Sequence, residues 1–347
     1  MTQSKATPPV TRILAVTCMR NEGPYCLEWI AHHRAAGVTD FLIFTHDCDD
    51  GTPALLDLLP GVTHVPFQPD AEKSVQWQAM RLADAHPLMK SADWVIFFDC
   101  DEFLCLEAPM ATFGDLIASL PDDTDAIALP WRLFGAAGQE DFTDHLTPAR
   151  FTKCAPDPFF LPAGSFFKTL LRPKKFQKLG VHRPKNKGKV PGVWSLGGGQ
   201  TATADFAGND SRINLFGLMQ APARARLNHY SLRSAAEFMV KRGRGLPNRA
   251  TKTLDLHYWA ERNFNTVEDH RIDPMLAATQ AQMATLLGTP EIRAVHQGAV
   301  QWRRDAFAAL MKDPAEVQFY WHLILLGGST PPKPEQTQAH LRRHSQT

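Results

Sequence analysis

The sequence predicts an α/β fold, a mostly parallel sheet flanked by helices with a mainly helical C-terminal extension. Three observations carry this. From residue 12 short, nearly continuous apolar runs alternate with stretches of helical periodicity, the pattern of strands buried on both faces and joined by crossover helices. Polar clusters follow those runs directly: "RNEG" (20–23), "HDCDDGT" (46–52) and "DCDE" (99–102), and behind parallel strands such clusters share one rim. With 44% apolar residues in 347, the chain can bury a sizeable core.

The first strand is "ILAVTCM" (13–19), short and β-branched. "EGPYCLEWIAHHRAAG" (22–37) follows with Leu27, Ile30 and Ala31 at helical spacing, and Gly37 is its stop. "DFLIFTH" (40–46) is the second strand, "DGTPALLDLLPG" (50–61) a short helix, and "VTHVPF" (62–67) the third strand. The helix over 72–90 should break near Pro87, because proline removes a backbone donor and clashes with the preceding turn. "WVIFF" (94–98) is the fourth strand, 112–120 a helix, and "DAIALPWRLF" (125–134) the fifth strand. Beyond 135 the chain is rich in Gly, Pro and basic residues, with strands predicted in "SFFKTLLRP" (165–173) and "VWSLG" (193–197). From 233 the pattern is helical, through 275–288 and 300–311, and no internal repeat is visible. The division is 10–232 for the α/β domain, 233–328 for the helical extension and 329–347 for a polar tail whose composition reads as mobile.

Lys and Arg (37) nearly cancel Asp and Glu (36), so net charge gives no case for a polyanionic partner. The six cysteines form no CxxC pair, and several sit in apolar runs, which suits a reducing compartment. No window approaches 18 uninterrupted apolar residues, and the N-terminus has no apolar signal core; the expectation is a cytoplasmic protein.

"VIFFDCDEFLCL" (95–106) runs an apolar strand straight into Asp99, Asp101 and Glu102. Charge at the end of a buried strand needs a cation or strong donors. In an extended turn, residues two apart point the same way, so Asp-x-Asp can present two carboxylates to one hard divalent ion that also holds phosphate oxygens; Mg2+ or Mn2+ suits such ligands. The bland alternative is a turn or helix start where acids are favoured anyway.

Taken in order, "TCMRNEGPYCLEWIAHHRAAGVTDFLIFTHDCDDGT", "WVIFFDCDEFL" and "RLNHYSLRSAAEFMVKRGRG" resemble the family-2-like glycosyltransferases of the GT-A fold, in the group that reads R-N-E, H-x-x-x-G, D-x-D-E-F and N-H-Y. The resemblance spans roughly residues 10 to 250 and implies a Rossmann-like sheet, a nucleotide-sugar donor and a metal on its diphosphate. It places Arg20, Asn21 and Glu22 against the nucleotide, with capping of the next helix as the other role open to Glu22. Asp47 or Asp49 would hold base or ribose, Asp99 ribose or metal, and Asp101 would be the principal metal ligand. Glu102 would anchor the loop. His229 matches a late histidine that serves metal or diphosphate; the alternative is a half-buried structural imidazole beside Tyr230. The family implies a hexosyltransferase, inversion of configuration, UDP-type donors, and a role in polysaccharide biosynthesis.

The stretch 168–189 is basic and holds no acid. It is a solvated face, or a surface for the leaving diphosphate, an anionic acceptor or a peripheral membrane contact. Within it Lys168 and His182 are candidate site residues, and Lys241, with Arg242 and Arg244, is a candidate for the same phosphates. The aromatic interleaving of a nucleic-acid platform is missing from both groups, so no nucleic acid is expected. An inverting transferase needs a carboxylate base past the fifth strand. Glu140 and Asp141 stand there, with solvated loop acids as the alternative. The acceptor class is a glycan or lipid-linked hydroxyl. Two competing classes remain: a silent glycan-binding protein on the same fold, and a haloacid-dehalogenase-type phosphatase. The latter normally carries its D-x-D on the first strand and Thr or Val where this chain has Phe103.

Overall fold

The structure, a computed structural model, describes residues 11–159, 161, 164–216, 218, 222–244 and 254–344. The first half follows the predicted alternation: β1 (Ile13–Met19), α1 (Gly23–Ala35), β2 (Asp40–Thr45), α2 (Thr52–Asp57), β3 (Val62–Pro66), α3 (Val75–Ala85), α4 (Pro87–Ser91) and β4 (Trp94–Phe97). Gly37 takes φ +93° just beyond α1, the left-handed geometry that ends a helix. Pro87 opens α4 after extended backbone at His86, which divides the helix where the sequence placed the break.

Next come β5 (Glu102–Leu106), α5 (Phe113–Ala118), β6 (Ala126–Leu133), α6 (Thr147–Arg150), β7 (Lys153–Cys154), β8 (Phe167–Leu171), β9 (Phe176–Lys178), β10 (Lys185–Asn186), β11 (Trp194–Leu196), α7 (Ala204–Gly208) and β12 (Ala225–His229). The remainder is α8 (Ala235–Arg244), α9 (Leu256–Ala260), β13 (Val267–Glu268), α10 (Asp273–Leu287), α11 (Pro290–Leu310), α12 (Pro314–Leu325) and α13 (Pro334–His344). Helix α13 lies in the tail that composition made mobile: Pro334 starts it, and the Gln336 side chain accepts from the Lys333 N–H. Among the described residues no helix is long and apolar enough to cross a membrane.

Among the described residues the main sheet has nine strands in the order β3-β2-β1-β4-β8-β6-β12-β5, with β11 beside β6. Strands β3, β2, β1 and β4 are mutually parallel, and β6 is parallel to β11 and β12. Strand β8 runs antiparallel to both β4 and β6, so β4, β6 and β12 all point their carboxyl ends the same way as β1 and β2. Edge strand β5 is antiparallel to β12 and leads away from that rim.

Alternation along each strand divides the core in two. Ile13 and Ala15 face the layer of Trp29, Ile30, Phe41 and Phe103, while Leu14 and Val16 face Met80, Phe97, Phe167 and Trp194. The helical extension has no separate footing. Met275, Leu286 and Ile292 join the first core, and Nδ1 of buried His32 on α1 meets Thr279 Oγ1 at 2.9 Å.

Candidate active site

Three carboxyl-end loops form the rim, and their backbones are unusual. Among the described residues the non-glycines with positive φ are Asn21 (53°), Asp47 (45°), Arg233 (57°) and Ala137 (53°). The first three belong to loops after β1, β2 and β12; such conformations persist where surrounding structure enforces them, and they gather at functional sites.

Behind β1, the Asn21 side chain donates to Asp49 Oδ1 at 2.6 Å and accepts from the Asp49 N–H at 2.9 Å, joining "RNEG" to the loop after β2. Asp47 beside it is half exposed, with Oδ2 3.0 Å from His46 Nδ1. Arg20 is half-buried. Glu22 occupies the N-cap position of α1, yet its side chain makes no cap. Asp50, a residue sequence reasoning passed over, does that work: Oδ2 accepts the Gly23 N–H at 2.7 Å and Oδ1 accepts from Thr52. A Cβ at Gly23 would lie 2.7 Å from Ala299 Cβ, so only glycine fits under α11. Glu22 is thereby left to face Arg233, with Oε2 3.5 Å from Nη1.

Behind β4 each carboxylate meets a cation from a distant segment. Asp99 accepts from Gln76 at 2.7 Å and from Lys168 Nζ at 3.0 Å. Asp101 Oδ2 accepts from Lys241 Nζ at 2.6 Å, and Oδ1 faces His229 Nε2 at 3.5 Å with no hydrogen-bond partner among the described residues. Glu102, the first residue of β5 and wholly buried, accepts the Asp99 N–H at 3.1 Å and so anchors the turn. Its carboxyl is raised well above the usual range by burial, against Lys168 and with help from Asp99 and Asp101. Burial opposes the ionisation of Asp101 too, but Lys241 and His229 outweigh it and hold that carboxyl well below its ordinary value. For Lys168 burial works against the charge, and Asp99 and Glu102 more than restore it. His229 is pushed down by burial, which Asp101 only partly offsets.

The return of His229 to the D-x-D has a simple cause. β12 pairs with β5 in a register that sets His229 opposite Glu102, and the Tyr230 N–H donates to the Asp101 carbonyl at 2.8 Å. The same register buries Tyr230 against Phe103 and Phe134.

His182 lies one ring further out. Its Nδ1–H donates to the Phe167 carbonyl at 3.0 Å, and Trp131, at 5.3 Å from His182 and 4.2 Å from His229, stands between the two imidazoles. Burial, then Lys168, pushes His182 down to about 3. Trp131 carried no sequence signal beyond its place in the fifth strand, and Arg233 lay unremarked in the resembling stretch 226–245. Glu140 and Asp141 are exposed on the loop after β6. That loop is tied to α8, which carries Lys241, where the Glu140 carbonyl accepts from the Ala236 N–H at 2.8 Å, and to α6, where the Asp141 carbonyl accepts from Arg150 at 3.3 Å.

The basic stretch is not one surface. Lys168 is in the core, Arg172 stacks on Trp94 at 4.5 Å, and Arg183 is buried over Trp194 at 4.2 Å with its guanidinium on the carbonyls of Phe206 and Ala207. Lys174, Lys175, Lys178, Lys187 and Lys189 are exposed. In the later group, Arg242 pairs with Glu316 at 2.6 Å on α12.

Asp101 Oδ1 and His229 Nε2, 3.5 Å apart, would offer a divalent cation two donors when the imidazole is unprotonated. Asp99 would add a third on giving up Gln76 or Lys168. The residues present therefore fit Mn2+ or Mg2+ completed by ligand oxygens, although among the described residues no ready-made group of three such side chains is assembled.

Sheet order, acidic rim and helical cover define an α/β protein with a GT-A-like fold. A family model described as glycosyltransferase family 92 matches residues 16–191, just over half of the 347-residue chain, and the chain belongs to that family. A glycosyltransferase family 92 protein of Oryza sativa subsp. japonica is 31% identical over 94 residues, covering 25% of this chain and 15% of that protein. The chain thus spans a small part of that relative's length. Among solved structures, a mycobacterial protein is 16% identical over 35% of this chain and 41% of its own, with a TM-score of 0.24. HddC from Yersinia pseudotuberculosis is 11% identical over 47% and 78%, with a TM-score of 0.28. Likeness at these scores carries no inference.

Proposed function

We propose that the protein is a metal-dependent, inverting glycosyltransferase of the family-2-like GT-A type that moves a sugar from a nucleoside diphosphate, UDP by preference, to a glycan or lipid-linked hydroxyl. The observation that carries this reading is the buried Asp101 carboxylate, whose Oδ1 lies 3.5 Å from His229 Nε2 at the carboxyl rim of the sheet. Asp101, His229 and Asp99 would hold Mn2+ or Mg2+, which when bound supplies positive charge to the leaving diphosphate. Asn21, Asp47 and Asp49, fixed to one another or held in left-handed turns, would meet the nucleoside. Arg20 and Glu22 belong to the same loop. Lys241, now on Asp101, would turn to the phosphates when they bind. His182 and Trp131 would border the transferred sugar from the β6 side. Glu140 or Asp141 would take the acceptor proton. Exposed lysines of 168–189 are what remains for an anionic acceptor or a membrane surface, and a cytoplasmic site is part of the same reading.

The test is a screen of nucleotide sugars for release of the nucleoside diphosphate, with Mn2+ and then with EDTA. Donor hydrolysis that needs the metal supports the reading. A protein that binds glycans but turns over no donor in either condition would return it to the silent alternative.

A further inference from the structure

Arg233 lies in the resembling stretch 226–245 but outside R-N-E, D-x-D-E-F and N-H-Y, and it stands where their loops meet. It lies between β12 and α8 in left-handed backbone, φ 57°, a conformation a non-glycine residue keeps only under constraint. The guanidinium is buried and reaches two loops at once. Nη1 is 3.5 Å from Glu22 Oε2 behind β1, and Nη2 donates to the Cys100 carbonyl, at 3.3 Å, in the middle of the D-x-D turn. Its Cζ stands 3.5 Å above the centre of the Tyr25 ring, in the first turn of α1. The Nε–H, buried with the rest, has no partner among the described residues.

An unpartnered Nε is not peculiar to Arg233, since Arg183 and Arg303 share it among the described residues, but two arginines that brace this fold against carboxylates look different. Arg226 grips Asp269 with two bonds of 2.9 Å, and Arg150 reaches Glu237 at 2.7 and 3.1 Å. Buried polar groups are normally saturated in that way. Arg233 has long contacts on both sides and spare donor capacity, and a rigid planar fork of this kind transmits displacement from one loop to the other.

We infer that Arg233 is a positioning residue that couples the nucleotide loop after β1 to the D-x-D turn, so that filling one sets the geometry of the other. The inference rests on the donor and metal reading given above. A shift of either loop changes both contacts, because Glu22 and Cys100 share one guanidinium.

Calorimetric titration with UDP, with and without Mn2+, on wild type, Arg233→Met and Arg233→Lys tests it. Wild type should bind UDP at least about tenfold tighter with Mn2+, within the usual range for coupled sites. Arg233→Met should change metal-free UDP affinity less than about threefold while losing most of the Mn2+ enhancement, and Arg233→Lys, which keeps charge without the fork, should fall between. A brace would not separate the two arms. An Arg233→Met protein with the full enhancement, or with equal losses in both arms, overturns the inference. If far-UV circular dichroism shows Arg233→Met unfolded, the lysine variant decides on the same comparison. Wild-type binding indifferent to Mn2+ removes the metal reading and this inference together, whereas failure in the variants alone leaves that reading standing.

Discussion

Asp101 is the counter-ion of Lys241 and also the proposed principal metal ligand, and the two roles can be pulled apart. Lys241 Nζ is buried between Asp101 Oδ2 at 2.6 Å and the Ser231 carbonyl at 2.8 Å. Asp101→Asn leaves that ammonium beside a neutral amide, with Arg233 nearby adding positive charge. Removing one member of a buried pair costs about 3 kcal/mol, because the other charge stays desolvated. Asp101→Asn should therefore unfold at clearly lower urea concentration. Asp101→Asn with Lys241→Met removes both charges and should recover to within about 1 kcal/mol of wild type. Activity should not follow stability. If the carboxylate holds the metal on the diphosphate, single and double variants should both lose on the order of a hundredfold or more in donor turnover, several kcal/mol at the transition state. The assays are urea denaturation followed by circular dichroism, and release of nucleoside diphosphate with Mn2+. A double variant as active as wild type would show that Asp101 serves only Lys241. An unchanged urea midpoint in the single variant would show that the pair does not hold the turn.

Two further outcomes are expected. His32, wholly buried between Thr279 and the Leu104 carbonyl, is pulled by burial from 6.5 down to about 4. Below pH 6.5 the unfolded chain takes up a proton that the folded chain refuses, so stability present above that pH drains away as pH falls toward 4, by about 3 kcal/mol for this residue. His32→Gln should flatten that slope between pH 7 and 4.5 in urea titrations, and an identical slope in both proteins would refute the assignment. For the base, Glu140→Gln or Asp141→Asn should lower kcat by about a hundredfold to ten-thousandfold with donor KM unchanged. If both variants turn over like wild type, these are solvated loop acids and the base lies elsewhere.

What the sequence made legible was local. Strands β1 to β4, the stop at Gly37 and the break at Pro87 follow from periodicity and backbone chemistry within a few residues. Strands β5 and β12 are just as regular, but "EFLCL" reads as an apolar patch and "ARLNH" has no strand pattern of its own. Their pairing is a long-range event, and it brings His229 beside Asp101. From sequence, His229 was reachable only through resemblance. The basic stretch misled in the opposite direction, because charge per residue does not say which side chains a strand turns inward. β8 carries Lys168 through the core to Asp99, and Arg183 is spent on helix carbonyls.

The question set by three carboxylates at the end of a buried strand is answered by those distant segments. Asp99 has Lys168, Asp101 has Lys241 and Glu22 has Arg233, while Glu102 is the carboxyl that burial favours protonated. These partners come from β8, α8 and the turn after β12, so folding the whole sheet and its C-terminal cover is what makes the acidic rim tolerable. The balance has a consequence for the proposed ligands. A nucleoside diphosphate sugar carries about two negative charges, and one divalent cation cancels them, so the pair can exchange with the Lys241 contact without leaving net charge buried at the rim. Either one alone leaves net charge at the rim, which is the electrostatic reason to expect the metal to strengthen nucleotide binding.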